Sequence, residues 1–380
     1  MATLSASRAL GINIDHRKAR IVIKGKYPLD TPENIIDAEN SGTTIRIYAT
    51  MAALTRRGYT ILTGDASLRR RPMQPAIDAL NQLGVECYSS QMNGLPPLLI
   101  KGGGIRGGPI TISGSISSQF LSSILISSVY AKFPVSIHIT GRQVSKPYVY
   151  STLSSMQKFG VLIDCEKDLT EYYITNKKYR SSQFQVPADF SAAAMLLAAG
   201  VMIGGSVTLK GLSFSLPQAD SKILEILKEM DAKIDVNRIR GEVKVRGSET
   251  VEGGTFDLTD APDLLPVISV LALKARSPVK LTGIAHARLK ETDRVAVIAS
   301  QIKKFGARVV ELENQLLIAP PRVLKNSSIQ TFNDHRLLMA FTIAALLTEK
   351  SEVEGAESID VSYPCFLLDL KRLGAKISFP

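Results

Sequence analysis

The sequence predicts an α/β protein of two domains, assembled from six related units of about seventy residues each. Two recurring sequence patterns and the composition support this prediction. The first pattern is an amphipathic helix that ends at a glycine and is followed by a short β-prone run. The second is a short polar segment that opens an apolar helix and leads into a strand. Of the 380 residues, 45% are hydrophobic and 21% are charged, which suits a chain with two buried cores.

The first pattern occurs six times along the chain. Its copies lie at residues 4–15, 76–87, 153–164, 223–234, 298–309 and 366–377. Apolar residues recur at i, i+3, i+4 and i+7, as one face of a helix requires. In five copies the helix is followed by Leu-Gly or Phe-Gly, and the glycine is expected at the C′ position, where it adopts a left-handed backbone at little cost. The fourth copy has Asp231 at this position.

The second pattern occurs five times between these copies. Its polar segments lie at 40–44, 117–119, 189–191, 262–263 and 333–336, and the strands that follow lie at 60–64, 135–141, 206–211, 279–283 and 351–355. Each polar segment is expected to cap a helix. Because a helix N-terminus presents free N–H groups and a positive dipole end, it favours phosphate or carboxylate. If the units stack around an axis, several helix ends point into one cleft that suits anionic ligands.

The unit count also predicts the domain organisation. It places a first domain at residues 1–213 and a second at 214–380, with the crossing near 211–220. Six copies of the first pattern stand against five of the second, so we expect the first unit to be incomplete, with a half-unit missing before Met1. Residues 1–15 support this expectation because they begin within a helix that has no entry cap. The alternative is a degenerate first unit.

Charge and composition favour small anionic substrates. The net charge is +11, but the only dense basic run is Arg69–Arg71, and no RNP, zinc-finger or basic-zipper pattern is present. Aromatic residues make up 6% of the chain and Trp is absent, which argues against a platform for stacking nucleotide bases. The three Cys and four His are dispersed, so neither a disulfide framework nor a metal site is expected. The apolar runs are too short to span a membrane, and residues 1–20 lack the apolar core of a signal peptide.

Three segments concentrate basic residues near the polar segments. They are GDASLRRRPM at 64–73, RLKETDR at 288–294 and NDHR at 333–336. Arginine binds carboxylate and phosphate through two parallel hydrogen bonds, so these segments are candidate anion-binding sites. Two alternatives remain open at this point. Arg69–Arg71 could form a solvated turn, and RLKETDR could form ion pairs on a helix surface, which stabilise little.

Seven motifs occur in the order found in EPSP (5-enolpyruvylshikimate-3-phosphate) synthases, and the chain resembles this family over nearly its whole length. They are NSGTTIR at 40–46, GDASLRRRPM at 64–73, SSQF at 117–120, VSKPY at 144–148, PDLLP at 262–266, RLKETDR at 288–294 and NDHR at 333–336. The resemblance implies the two-domain enolpyruvyl transferase fold of six βαβαββ-type repeats, an inside-out α/β barrel, here with the first repeat incomplete. It implies transfer of the enolpyruvyl group of phosphoenolpyruvate to the 5-hydroxyl of shikimate 3-phosphate, with release of phosphate, in the shikimate pathway of aromatic amino-acid biosynthesis. It also implies a monomer that needs no metal or organic cofactor. The three dispersed cysteines favour a reduced cytoplasmic setting, and neither a nucleic-acid nor a membrane partner is expected.

The resemblance assigns roles to individual residues. Shikimate 3-phosphate is expected to bind Ser117, Ser118, Gln119, Ser145, Tyr148, Asp263 and Lys290. Phosphoenolpyruvate is expected to bind Gly42, Thr43, Arg71, Gln119, Arg294 and Arg336, with Arg46 and His335 behind these contacts. Asp263 is the candidate general base, since desolvation makes a carboxylate more basic, and Glu291 is the candidate acid for the methylene carbon. Fixed cations would stabilise the departing phosphate.

Two departures from the family pattern predict weak phosphoenolpyruvate binding and little activity. The family's N-terminal Lys-Ser and the Arg that follows have no counterpart, and Val361 stands where a second family lysine is expected. One alternative is therefore an inactive homologue that only binds an anionic metabolite or a partner protein. A second is the related transferase acting on UDP-N-acetylglucosamine, which the absence of Cys from residues 64–72 disfavours. A nucleic-acid binder is a third, supported by net charge alone.

Overall fold

Helices and strands alternate along the chain in the computed structural model, which describes residues 1–17 and 20–378. The α-helices are α1 Ala2–Ala9, α2 Gly42–Ala52, α3 Gln74–Gln82, α4 Ser118–Ser128, α5 Lys146–Lys158, α6 Phe190–Ile203, α7 Ile223–Glu229, α8 Leu265–Leu271, α9 Arg294–Lys304, α10 His335–Ala345 and α11 Phe366–Arg372. The first ten strands are β1 Asn13–Arg17, β2 Arg20–Lys24, β3 Ile36–Asp37, β4 Tyr59–Thr63, β5 Cys87–Ser89, β6 Leu98–Lys101, β7 Gly108–Ser113, β8 Val135–Thr140, β9 Asp164–Cys165 and β10 Glu171–Ile174. The others are β11 Ser206–Leu209, β12 Ile234–Asn237, β13 Glu242–Arg246, β14 Gly254–Asp257, β15 Val279–Thr282, β16 Arg308–Leu312, β17 Gln315–Ala319, β18 Ser328–Ile329 and β19 Glu352–Val353.

One four-stranded sheet occurs three times, with strand orders β3-β4-β6-β5, β7-β8-β10-β9 and β14-β15-β17-β16. In each sheet the first two strands are parallel and the remaining pairs are antiparallel. A parallel pair needs a crossover, which α2, α4 and α8 supply in turn. Three smaller sheets repeat part of this arrangement. They are β11-β13-β12, the antiparallel pair β1-β2 and the parallel pair β18-β19. The predicted α/β fold of βαβαββ units is confirmed.

The predicted helix ends are also confirmed. All six C′ residues have a left-handed backbone, with φ of 79° at Gly11, 78° at Gly84, 84° at Gly160, 57° at Asp231, 96° at Gly306 and 100° at Gly374. Five glycines adopt this conformation freely. Asp231 adopts it too, at a cost of about 1 kcal/mol for an L-residue with a side chain. Asp is one of the few residue types other than glycine that adopt this conformation regularly, so the turn is kept at Asp231.

Contacts divide the chain into two units, unit 1 at Met1–Phe184 and unit 2 from Gln185 onward. In unit 1, helix α2 packs against α4. In unit 2, helices α6, α8 and α10 pack against one another, which explains why α6 is apolar around its whole circumference. Because α6 and β11 pack within unit 2, the contacts group residues 185–213 with that unit, whereas the repeat count places the boundary at 213. The domains 1–213 and 214–380 stay a prediction.

No helix among the described residues is both long and apolar enough to cross a bilayer.

Candidate active site

The predicted polar segments cap helices at four of their five positions. Ser41, Ser117, Asp189 and Asp334 each accept a hydrogen bond from a backbone N–H in the first turn of the helix that follows. Asp263 differs, because it lies inside the 3-10 turn that precedes α8, and no side chain caps that turn or α8. The carboxylate of Asp263 forms ion pairs instead.

In unit 1, a hydrogen-bonded group joins the N-terminal ends of α2 and α4. Arg46 Nη1 donates to Gln119 Oε1 at 2.7 Å, and Gln119 Nε2 donates to Thr43 Oγ1 at 2.8 Å. The Arg46 guanidinium also lies over the ring of Phe120, 5.0 Å from its centroid. With both ends of its amide engaged, Gln119 is held in one orientation beside Ser117, whose Oγ is 3.5 Å from Arg46 Nη1.

Only one arginine of the basic run turns inward. Arg69 and Arg70 are exposed, whereas Arg71 is 5% exposed and donates from Nη2 to Asn40 Oδ1 at 3.1 Å. The solvated-turn interpretation therefore holds for the first two arginines alone. A Cβ added to Gly42 would lie 2.9 Å from Arg71 Nη1, so the guanidinium uses the space that this glycine leaves open. Arg71 is thus brought to the opening of α2.

The segment VSKPY opens helix α5. Ser145, directly before the helix, has φ of 59° and ψ of 36°, a left-handed conformation that is uncommon outside glycine, and it is buried. Helix α5 packs against α4, where Ser122 Oγ and Thr152 Oγ1 form a hydrogen bond of 2.7 Å. Tyr148 lies half-buried in the first turn of α5. Strained backbone of this kind is frequent at ligand-binding sites.

In unit 2, Arg294 is the centre of a buried ion cluster. It is 1% exposed and donates from three nitrogens to three carboxylates: Nε to Asp334 at 2.8 Å, Nη1 to Asp263 at 2.7 Å and Nη2 to Glu291 at 2.6 Å. Such an arrangement is stable only because each buried charge has an opposite charge beside it. Arg294 therefore sets the positions of both predicted catalytic carboxylates.

Asp263 contacts two further cations. Arg336 Nη2 lies 3.2 Å from Asp263 Oδ2, and Lys290 Nζ lies 3.6 Å from Oδ1. Burial alone would raise the pKa of Asp263, but Arg336, Lys290 and Arg294 together hold that pKa well below its usual range. The three cations therefore affect the pKa of Asp263 more than desolvation does, and the predicted role as a base rested on desolvation. The lowered pKa favours the ionised form of Asp263, which accepts hydrogen bonds.

The segment RLKETDR divides between surface and cluster. Arg288 forms ion pairs with Asp293 at 2.9 Å and Glu311 at 2.8 Å, as the surface interpretation predicts. Asp293 caps α9 by accepting from the N–H of Ala296 at 3.0 Å. Lys290, Glu291 and Arg294 instead join the cluster around Asp263 and Asp334.

Two buried histidines lie near these ions. Burial, with a smaller contribution from nearby cations, lowers the pKa of His286 and that of His335 to about 4. Both rings are consequently neutral at physiological pH. His335 was predicted behind the substrate contacts, whereas His286 was not predicted at the site. Its position four residues before Lys290 is the signal that could have identified it. Val361, in place of the family lysine, is 50% exposed in the 3-10 helix Ala356–Val361.

The structure thus brings the predicted residues together within each unit. Unit 1 gathers Gly42, Thr43, Arg71, Ser117 and Gln119 near Arg46, and it places Ser118 on α4 and Ser145 and Tyr148 at the start of α5. Unit 2 gathers Asp263, Lys290, Glu291, Arg294 and Arg336. Asp334 is a functional candidate that the residue assignments did not include, although it was visible as a helix cap. Asp220 is another: it is buried in the 3-10 turn Ala219–Lys222 and accepts a hydrogen bond from Ser191, and nothing local in the sequence distinguished it.

Known proteins share the sequence and the fold of this chain. The sequence profile of a family described as EPSP synthase (3-phosphoshikimate 1-carboxyvinyltransferase) matches residues 1–370. A 3-phosphoshikimate 1-carboxyvinyltransferase from Nitrosopumilus maritimus is 40% identical over 377 residues, which are 99% of this chain and 88% of that protein. One from Methanocaldococcus jannaschii is 40% identical over 380 residues, with the same coverage. The structure of an EPSP synthase from Acinetobacter baumannii superposes with a TM-score of 0.80 at 27% identity, covering 99% of this chain and 88% of that one.

Proposed function

Because this chain belongs to the EPSP synthase family, we propose that it transfers the enolpyruvyl group of phosphoenolpyruvate to the 5-hydroxyl of shikimate 3-phosphate, releasing phosphate. It is an enzyme of the shikimate pathway, and its activity is that of a 3-phosphoshikimate 1-carboxyvinyltransferase. The single observation that carries the proposal within the structure is the cluster of Arg294, Arg336, Lys290 and Asp263. Such a cluster offers cations to an anionic substrate and a carboxylate to a hydroxyl.

Substrate contacts follow from the family assignment. Shikimate 3-phosphate binds Ser117, Ser118, Gln119, Ser145, Tyr148, Asp263 and Lys290, and phosphoenolpyruvate binds Gly42, Thr43, Arg71, Gln119, Arg294 and Arg336. The unit 1 hydrogen bonds support this assignment, because Gln119 and Arg71 are each held at a helix opening that favours anions. All three nitrogens of Arg294 donate to carboxylates, and the second N–H of Nη1 is the one that a substrate would contact.

The reaction has two steps that these residues can assist. In the first, the 5-hydroxyl oxygen bonds to the central carbon of phosphoenolpyruvate and its proton passes to solvent, while the methylene carbon gains a proton from Glu291, which first takes that proton up from solvent. In the second, the carbon–oxygen bond to phosphate breaks and the methyl group returns a proton to Glu291, which restores the double bond. Arg71 and Arg336 stabilise the departing phosphate. Since the pKa of Asp263 is low, this carboxylate accepts a hydrogen bond from the 5-hydroxyl and stabilises the positive charge that develops on the hydroxyl oxygen as the new carbon–oxygen bond forms.

Steady-state phosphate release with both substrates tests the proposal. Asp263→Asn and Glu291→Gln are expected to lower kcat by about a hundredfold or more, the first because it removes the charge that aligns the hydroxyl and the second because it removes a positioned proton donor. Asp235→Asn is the matched control, because Asp235 lies on β12 with a largely exposed side chain and should leave kcat unchanged. Binding of shikimate 3-phosphate without turnover would instead identify an inactive homologue. Turnover only with UDP-N-acetylglucosamine would identify the related transferase.

The proposal extends to the oligomeric state, the compartment and the cofactor requirement. The protein acts as a monomer in the cytoplasm, with no nucleic-acid or membrane partner and no metal or organic cofactor. Free thiols at Cys87, Cys165 and Cys365 are compatible with a reducing compartment. Light scattering after size exclusion tests the monomer, and phosphate release in the presence of a chelator tests metal independence. A dimer mass, or loss of activity that added metal restores, would contradict these points.

A further inference from the structure

Asp220 is a buried carboxyl group that the proposed reaction does not use. It lies in the 3-10 turn Ala219–Lys222 ahead of α7 and is 2% exposed. Ser191 Oγ, from the first turn of α6, donates to its Oδ2. Its other oxygen, Oδ1, is buried and has no hydrogen-bond partner among the described residues. A buried polar atom without a partner is costly, so it calls for an explanation.

Charge counting shows why Asp220 differs from its neighbours. The cluster of unit 2 contains four carboxylates and three cations, namely Asp220, Asp263, Glu291 and Asp334 with Lys290, Arg294 and Arg336. Arg294 donates to each of the other three carboxylates at 2.6–2.8 Å. Asp220 forms no ion pair in the part of the chain that the structure describes, although it interacts electrostatically with Arg336. One carboxylate is in surplus, and Asp220 is the one that a proton can neutralise most cheaply.

The ionisation of the cluster supports the same view. Burial, followed by the nearby charge of Asp263, raises the pKa of Asp220 to about 6. Arg336 on α10 and the hydrogen bond from Ser191 oppose this rise, and Asp189 at the start of α6 adds to it. The pKa of Asp263, in contrast, is held far below neutrality by its three cations. Of these two interacting carboxylates, Asp263 therefore stays ionised, whereas Asp220 is the one that can exchange a proton near physiological pH.

We propose that Asp220 is a positioning residue that takes up a proton when phosphoenolpyruvate binds Arg336. This proposal rests on the function proposed above, which assigns Arg336 to that substrate. The incoming anion pairs with Arg336, so this arginine stabilises the ionised form of Asp220 less. The anion also adds negative charge near Asp220. A proton from solvent then binds the unpartnered Oδ1, forming an O–H bond and removing the negative charge of the carboxylate. The cluster can thereby admit a multiply charged substrate without holding an additional uncompensated carboxylate beside it.

The expected proton uptake follows from these positions. A group with a pKa of about 6 is roughly one-tenth protonated at about pH 7. A nearby charge moves a pKa by about one to three units. A rise of about two units makes Asp220 roughly nine-tenths protonated, so binding takes up about 0.8 proton per site.

Titration calorimetry measures this uptake directly. Phosphoenolpyruvate is titrated into the whole protein at about pH 7 in two buffers of different ionisation enthalpy, which gives the protons exchanged per binding event. Asp220→Asn keeps the shape of the side chain and its contact with Ser191 but cannot titrate. We expect the unmodified protein to take up about 0.8 proton more than this variant. Equal uptake by the two proteins would overturn the proposal.

Two further measurements keep the test decisive. Ser191→Ala removes the hydrogen bond but keeps the titrating group, so proton uptake is expected to persist, and its loss would contradict the role of Asp220. Infrared difference spectra of the free protein between about pH 5 and about pH 8 should show a protonated carboxyl band that Asp220→Asn lacks. The spectrum of the unmodified protein does not depend on how well the Asp220→Asn variant folds. Absence of the band from the unmodified protein therefore overturns the proposal in either case. Failure of phosphoenolpyruvate to bind at all overturns the assignment of Arg336 as well, whereas equal uptake overturns this inference alone.

Discussion

Replacing Arg294 by lysine tests the buried ion cluster most directly. Lysine keeps the positive charge but can satisfy at most part of the contacts that three guanidinium nitrogens make to Asp334, Asp263 and Glu291. A hydrogen bond to a charged group contributes about 1.5–3 kcal/mol, and breaking a buried ion pair costs about 3–5 kcal/mol. We therefore expect Arg294→Lys to lower the free energy of unfolding by about 3 kcal/mol or more.

Arg288→Lys is the matched control, because Arg288 also pairs with two carboxylates in the same segment. Its side chain is 21% exposed and its partners Asp293 and Glu311 are 42% and 33% exposed, so the expected loss is at most about 1 kcal/mol. Urea unfolding followed by circular dichroism compares the two variants at unchanged m-value. Equal losses for the two substitutions would refute the reasoning, because burial would then make no difference to the strength of these contacts.

Four further outcomes are expected. Asp231→Gly should raise stability by about 0.5–1 kcal/mol, because glycine adopts the left-handed backbone at C′ without strain, and Asp231→Asn should give a smaller gain in the same urea assay. Gly42→Ala should raise the KM for phosphoenolpyruvate about tenfold, with a smaller effect on kcat, since the new Cβ displaces Arg71, whose charged contact is worth about 1.5 kcal/mol or more; an unchanged KM would contradict this. The pKa of Asp220 is raised to about 6, so its contribution to stability is full below about pH 4 and is lost as pH rises towards and past 6. The unmodified protein should therefore lose about 3 kcal/mol of stability between pH 4 and pH 8 that Asp220→Asn does not lose. The pKa of His335 is lowered to about 4, so the reverse holds, and its contribution is lost as pH falls from about 6.5 to 4, a loss that His335→Gln should not show in acid titrations of stability.

Family motifs and local chemistry predicted most of the site residues but not their partners. Gln119 was predicted as a substrate ligand, and the structure adds that Arg46 and Thr43 hold its two amide ends. Asp263 was predicted as a base made stronger by desolvation, whereas its three cations make it a weaker one. The difference arises because burial can be anticipated from a sequence more easily than the number of charges that surround a buried group.

What the sequence determined by itself is the local part of the fold. The left-handed turn at six C′ positions, the caps at Ser41, Ser117, Asp189 and Asp334 and the order of helix and strand within each unit all follow from residues within a few positions of one another. Even Asp231, where the glycine is absent, follows the rule, because the helix that ends there and the strand that begins after it leave the chain one direction to take.

Only the tertiary structure decided which of several equivalent residues became functional. Arg69 and Arg71 are two positions apart and chemically identical, yet one is solvated and the other is buried beside Gly42. Arg288 and Arg294 both pair with acids, but Arg294 meets Asp334, forty residues further along the chain, in the interior. The physical reason is that hydrogen bonds within a turn depend on neighbours in sequence, whereas burial and charge pairing depend on elements that only folding brings together.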